Sequence, residues 1–199
     1  VPLVLSKKEI RRILAMAPSL KARVMLSLAY GCGMRAGEVV RLKVGDIDSA
    51  QQIIRIVQAK GRKDRNVMLP VDILGLLRAW WKERPSGQDM DVAAPERVLF
   101  PGYRGKHLSA RQISRLFKQT AQEAGITKPV TLHTLRHSFA THLLERGVDI
   151  RVIQALLGHT KLTTTARYAS VATGMIAAVD SPLDDLNQTK PKKGKPKPS

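Results

Sequence analysis

The chain has a single cysteine, Cys32, so no disulfide can form within it, and a reducing cytoplasm is the compartment it suits. Long apolar runs are missing too: nothing approaches the roughly 20 consecutive residues of a membrane-spanning helix. The stretch from Val1 to Ile13 is a polar helical pattern, without the apolar core and cleavage site of a secretion signal. No internal repeat is present. Acidic residues are scarce, with 16 Asp and Glu against 34 Lys and Arg, a net charge of +18. Such an excess requires a polyanionic partner, nucleic acid or an anionic membrane surface, and the lack of apolar runs disfavours the second. The carboxylates are not clustered, and no H-E-x-x-H or cysteine-bearing pattern marks a metal site. A metal-free protein with no cofactor is expected.

The chain's 199 residues suffice for one domain with a sizeable core. Ser6-Lys7-Lys8-Glu9 has the form of a capping box, and Ile10, Ile13 and Leu14 follow at helical spacing. A second helix is expected from near Pro18 to about Gly31, a break at Gly31-Cys32-Gly33, and a short helix over Met34–Leu42. Ile53–Ala59 and Asn66–Leu69 flank the turn Gly61-Arg62-Lys63-Asp64 and predict a β-hairpin. Helices are predicted over Val71–Arg84, Ser109–Ala124, Thr131–Arg146, Asp149–Leu157, Thr163–Ala169 and Ala172–Val179, with a short strand at Arg97–Phe100. Lys190–Ser199 has no apolar residue to bury and is expected to be a disordered basic tail adding phosphate contacts. The fold class is mainly α with a small antiparallel sheet.

Four stretches could carry chemistry. His133 and Arg136 stand at i and i+3 beside the apolar positions Leu132, Leu135, Phe139 and Leu143, so both project from one face of a packed helix. Gly158 ends a helix and leaves His159 in a turn, with Tyr168 near the end of a following short helix. A phenol, with a pKa of about 10, becomes a competent nucleophile only beside cations. Arg35 follows the glycine break, and Glu38 one turn on could orient its guanidinium. Lys60-Gly61-Arg62-Lys63-Asp64-Arg65 gathers four cations at a hairpin tip. Each stretch alone also fits an ordinary structural role: a solvated arginine, a core tyrosine, a surface ion pair, a solubilising turn. Trp80 and Trp81 and the histidines His137 and His142 are expected to serve packing.

Together and in this order, the pieces resemble the tyrosine recombinase (phage integrase) family. The likeness is densest in Leu132-His133-Thr134-Leu135-Arg136-His137-Ser138-Phe139-Ala140-Thr141-His142-Leu143-Leu144 and in Ile153 through Tyr168. Tyr30 through Arg35, with Glu38 and Leu42, and the Lys60–Arg65 block fit the family's earlier motifs. The resemblance runs from about Leu5 to Tyr168 and is nearest to Xer-like and transposon-borne integrases.

The resemblance implies the recombinase catalytic fold over residues 1–189, followed by the 190–199 tail, and a chain without the family's N-terminal DNA-clamping domain. It implies double-stranded DNA as partner, self-assembly into dimers or tetramers on DNA, and a cytoplasmic, nucleoid-associated or mobile-element setting. It makes Arg35 and Arg136 the pair gripping the scissile phosphate, Glu38 their acidic support, Lys60 the hairpin lysine and His133 and His159 the two histidines. Tyr168 becomes the nucleophile, and Arg62, Lys63 and Arg65 become DNA contacts. The activity implied is strand cleavage and rejoining through a 3′-phosphotyrosyl intermediate. Type IB topoisomerase-like relaxation and a non-catalytic DNA-binding module of the same fold are the alternatives. A helix after the nucleophile, with Val171, Met175, Ile176 and Val179 as its apolar stripe, is expected to fold back onto its own chain in a monomer and to exchange between protomers on DNA.

Overall fold

A computed structural model describes residues 3–57, 64–158 and 176–187. Helix α1 (Lys7–Ala15) opens with the expected capping box: Ser6 Oγ accepts from the Glu9 amide, and the Glu9 carboxylate accepts from the Ser6 amide. Helix α2 (Leu20–Gly31) starts two residues later than expected, because Ser19 and not Pro18 ends the preceding turn, its hydroxyl accepting from the Ala22 amide. From Val24 to Gly31 every residue of α2 is buried. A helix apolar all round must be enclosed, and α2 is the axis on which the others pack.

The glycine break is real and sets the path of the chain into α3. Gly33 has φ +65°, and a Cβ there would sit 2.5 Å from the Phe139 ring, so neither the backbone nor the space admits a side chain. The chain is still extended at Arg35, which confines helix α3 to Ala36–Arg41. Three antiparallel strands come next, β1 (Ile47–Asp48), β2 (Ile53–Ile56) and β3 (Arg65–Met68), in the order β1-β2-β3 with Ile54 opposite both Ile47 and Val67. The hairpin was legible in the sequence; β1, only two residues long, was not. The strand expected at Arg97–Phe100 is reduced to one bridge between Lys43 and Val98, with the Leu99 amide donating to Leu42 O.

Helix α4 (Val71–Glu83) buries Trp80, which stacks on Phe100 and donates from Nε1 to Leu99 O. Trp80 thus serves packing, as expected, whereas Trp81 is exposed beside the Arg84 guanidinium. Helix α5 (Ala110–Glu123) has the capping pair Ser109 and Gln112. Helix α6 (Leu132–Glu145) buries Leu132, Leu135, Phe139 and Leu143, the predicted stripe, and also Arg136, Ser138 and His142. Helix α7 (Ile150–Leu157) ends at Gly158, left-handed at φ +67°. Helix α8 (Pro182–Asn187) returns to lie against α2 and α6. Among the described residues no helix is long and apolar enough to cross a membrane.

The helix expected over Thr163–Ala169 and the basic tail lie outside the described residues, as does the first half of Ala172–Val179.

Candidate active site

The site is built where α3, β3, α6 and the end of α7 meet. Glu38, in the first turn of α3, has a side chain only 2 % exposed. Its Oε1 accepts from the Arg35 amide at 2.8 Å, and its Oε2 lies 3.5 Å from Arg35 Nη1. The acidic residue therefore orients Arg35, as its spacing suggested. Arg35 keeps 30 % of its side chain exposed.

The strongest partner of Glu38 comes from elsewhere in the chain. Arg65, the first residue of β3, meets both carboxylate oxygens, with Nη1 to Oε2 at 2.5 Å and Nη2 to Oε1 at 2.8 Å, and its Nε donates to Leu156 O at 2.7 Å. Its side chain is 7 % exposed. The sequence pattern placed Arg65 with Arg62 and Lys63 as a DNA contact; the structure turns it inward instead, because a buried carboxylate demands a bidentate cation and β3 directs this one toward α3. Sequence spacing carried no trace of this pairing.

Arg136 is 3 % exposed, with Nη1 donating to Gly33 O at 2.6 Å and Nη2 to Leu157 O at 2.5 Å. The side-chain-free Gly33 lets its carbonyl come this close to α6. Leu156 and Leu157 are the last carbonyls of α7, which lack helical partners and carry the negative end of the helix dipole. Arg65 takes one and Arg136 the other. Burial first, then the charges of Arg35 and Arg65, push Arg136 down to about 9, while Glu38 opposes the shift. Two guanidinium groups thus meet the Glu38 carboxylate and a third lies within range of their charges, an arrangement that favours an anion nearby.

His133 is exposed one turn before Arg136, its ring edge-on to His137 at 4.5 Å. The i, i+3 spacing put the two side chains on one face; the structure buries Arg136 and leaves His133 at the rim. His133 and Arg35 line one pocket of about 340 Å³, together with Gly37, Ser114 and Thr131. Ser114 belongs to α5, whose Arg111, Arg115 and Lys118 are exposed and continue the positive surface away from the pocket. This stripe was not singled out in the sequence, although its spacing of four and three was visible there. Among the described residues no group of His, Cys, Asp or Glu side chains is placed to hold a metal ion. Lys60, Arg62, Lys63, His159 and Tyr168 lie outside the described residues.

Comparison with known proteins identifies the family. The model of the phage integrase family matches residues 4–175. An integrase/recombinase of Sinorhizobium fredii is 40 % identical over 192 residues, covering 96 % of this chain and 59 % of that protein. The tyrosine recombinase XerA of Thermococcus kodakarensis is 39 % identical over 173 residues, covering 86 % of this chain and 59 % of its own. The chain thus spans about three-fifths of the length of these relatives. Among solved structures, that of XerA recombinase superposes with a TM-score of 0.71 at 31 % identity, covering 96 % of this chain and 65 % of that one. XerH recombinase bound to difH substrate, in a pre-cleavage complex, gives 0.68 at 27 % identity, covering 90 % and 53 %. The fold and these likenesses agree, and the chain belongs to the phage integrase family of tyrosine recombinases.

Proposed function

We propose that this chain cleaves and rejoins double-stranded DNA at specific sites, as a recombinase that holds the cut strand covalently on Tyr168. The observation that carries the reading is the pairing of Arg35 and Arg65 with the buried Glu38 carboxylate, with Arg136 near enough to feel all three charges, beside a pocket shared by Arg35 and His133. Such a site is electrostatically incomplete without an anion, and an exposed cationic stripe on α5 offers a path for the backbone of a polyanion. The XerH relative bound to its difH substrate supports the same substrate class.

In the proposed reaction the phenolic oxygen of Tyr168 attacks the scissile phosphorus in line with the departing 5′ oxygen. The phosphorus–5′ oxygen bond breaks as the phosphotyrosine bond forms. Arg35 and Arg136 hold the non-bridging oxygens, on which negative charge grows, with planar forks that stay charged. His133 takes the phenolic proton, and Lys60 gives one to the leaving 5′ oxygen. His159 adds a further hydrogen bond to the phosphate. One ester replaces another, so a 5′ hydroxyl from a second duplex can reverse the step without ATP. Recombination of two sites then requires two or four chains assembled on DNA, in a cytoplasmic setting.

The test is a nicked suicide duplex, from which the 5′ fragment escapes and traps the adduct. The wild-type chain should form a protein–DNA complex that survives denaturant. Tyr168→Phe should form none and bind DNA nearly as well, since only a hydroxyl is lost. Adducts with Tyr168→Phe would move the nucleophile elsewhere.

A further inference from the structure

We infer that Arg65 is a positioning residue of this reaction, acting through Glu38 and the end of α7 without touching DNA. The inference rests on the recombinase function proposed for the chain and adds a residue to it.

One guanidinium makes three contacts that join three separate pieces of the site. Both oxygens of Glu38 bind its terminal nitrogens, and Glu38 in turn holds the Arg35 amide at 2.8 Å. Its Nε holds Leu156 O, two residues before the glycine that precedes His159. Its own backbone begins β3, five positions after Lys60 in the sequence. The side chain also lies across the turn itself: a Cβ on Gly158 would come within 2.8 Å of Arg65 Cδ. Gly158 is therefore constrained twice, by its left-handed backbone and by the arginine against it.

The consequence is geometric. The phosphate-gripping Arg35 on α3, strand β3 and the end of α7 come from distant parts of the sequence, and one buried fork sets their mutual distances. Removal of Arg65 leaves the Glu38 carboxylate without its bidentate partner and takes the side-chain contact from Leu156 O at the end of α7. A misplacement of about 1 Å among reacting groups lowers rates by on the order of 100-fold.

The experiment uses the 199-residue chain and nicked duplexes selected from a randomised pool by covalent attachment to the wild-type protein. If no duplex attaches to wild type, the proposed recombinase function itself fails. With an attaching duplex in hand, single-turnover cleavage rate, DNA affinity and the salt dependence of affinity are measured for Arg65→Gln, Arg65→Lys, Glu38→Gln and the Arg65→Gln/Glu38→Gln double variant. Arg65→Gln should slow cleavage by about 100-fold at unchanged affinity and salt slope. Arg65→Lys keeps a charge for Glu38 but loses the contact with Leu156, and should slow it by about 10-fold. This second variant decides the matter if the glutamine form does not fold. The double variant should be no slower than Arg65→Gln, because the two residues act as one unit. Three results would overturn the inference: a salt slope flattened by about 0.9, the value of one lost phosphate contact; an unchanged cleavage rate; or losses in the double variant that simply multiply.

Discussion

The phenolic oxygen of Tyr30 lies 2.7 Å from Nδ1 of His142, joining α2 to α6 in the protein interior. The rings meet edge to face, and the imidazole donates a second hydrogen bond to the Leu5 carbonyl. Burial lowers the His142 pKa below its ordinary value; Glu145 opposes this, and Lys7 and Arg146 add to it. The folded protein therefore prefers the neutral ring, the form that can accept from the Tyr30 hydroxyl.

Stability should follow that preference with pH. His142 has a depressed pKa in the folded state, so between that value and about 6.5 the unfolded chain binds more protons. Its contribution is fully present above about 6.5 and is lost as pH falls toward the folded pKa. The melting temperature should drop between pH 7.5 and about 5.5, and His142→Gln should show a shallower drop. Tyr30→Phe leaves the imidazole nitrogen without its partner and should cost about 1–3 kcal/mol in denaturant unfolding at neutral pH. Equal pH slopes for wild type and His142→Gln would assign the acid sensitivity to other groups.

Two glycines of the same backbone class should respond differently to alanine. Gly125 at φ +74° has open space where a Cβ would go, whereas Gly158 at φ +67° has Arg65 against it. Gly125→Ala should cost only the left-handed penalty of about 1–2 kcal/mol and leave cleavage unchanged. Gly158→Ala should cost more and slow cleavage, since Arg65 must give way. Comparable stabilities and comparable cleavage rates in the two variants would show that the contact at Gly158 relaxes freely.

Lys60 is assigned the proton given to the departing 5′ oxygen, and the chemistry of that oxygen tests the assignment. Lys60→Ala should cleave ordinary DNA slowly and recover on a duplex with sulfur at the 5′ bridging position, because a thiolate leaves without a proton. Without recovery the role passes to Lys63 or to water.

The parts of the site that could be read in the sequence are those set by local spacing. The stripe Leu132, Leu135, Phe139 and Leu143 fixes the packed face of α6 and with it His133 at the rim, whereas the burial of Arg136 could not be read from it. The glycine pair around Cys32 announces the bend before Arg35, and the Arg35–Glu38 spacing announces their contact. Arg65 could not be read the same way. Whether a strand's first residue turns to solvent or to the interior depends on what packs over it, here Glu38 from 27 positions earlier and Leu156 from 91 later. A run of four cations reads as a solvent-facing tip until one is seen to be paired. The two-residue β1 and the late start of α2 were lost for a smaller reason: a capping serine and a two-residue bridge leave little periodicity to detect.

Helix α8 is held against its own chain by contacts to α1, α2 and α6, and these decide how it should respond to DNA. Ser181 Oγ donates to Gly31 O at 2.6 Å, and Leu183 packs against Gly31, where an added Cβ would meet it at 3.1 Å. Arg146 reaches the backbone of Asp180 and the carboxylate of Asp185, and Lys7 meets Asp185 from α1. Ile176 and Leu183 are both buried within their own chain, at 6 % and 3 % exposure, so the described part of the C-terminal segment folds back in cis as the sequence suggested for a monomer. The segment rests on the bend whose next glycine presents its carbonyl to Arg136. The polar latch is half-exposed and should contribute less than about 1 kcal/mol, which leaves the apolar contacts to decide where the segment docks. On DNA with two sites, a neighbouring chain offers the same groove at high effective concentration, and exchange between chains becomes competitive. Asp185→Asn should therefore loosen cis docking while cooperative binding to the two-site duplex persists. Met175→Asp combined with Ile176→Asp should spare cleavage of a half-site duplex and abolish that cooperativity, measured by gel shift on one-site and two-site DNA. An equal fall in half-site cleavage and in cooperativity would show that the segment only completes its own chain's core.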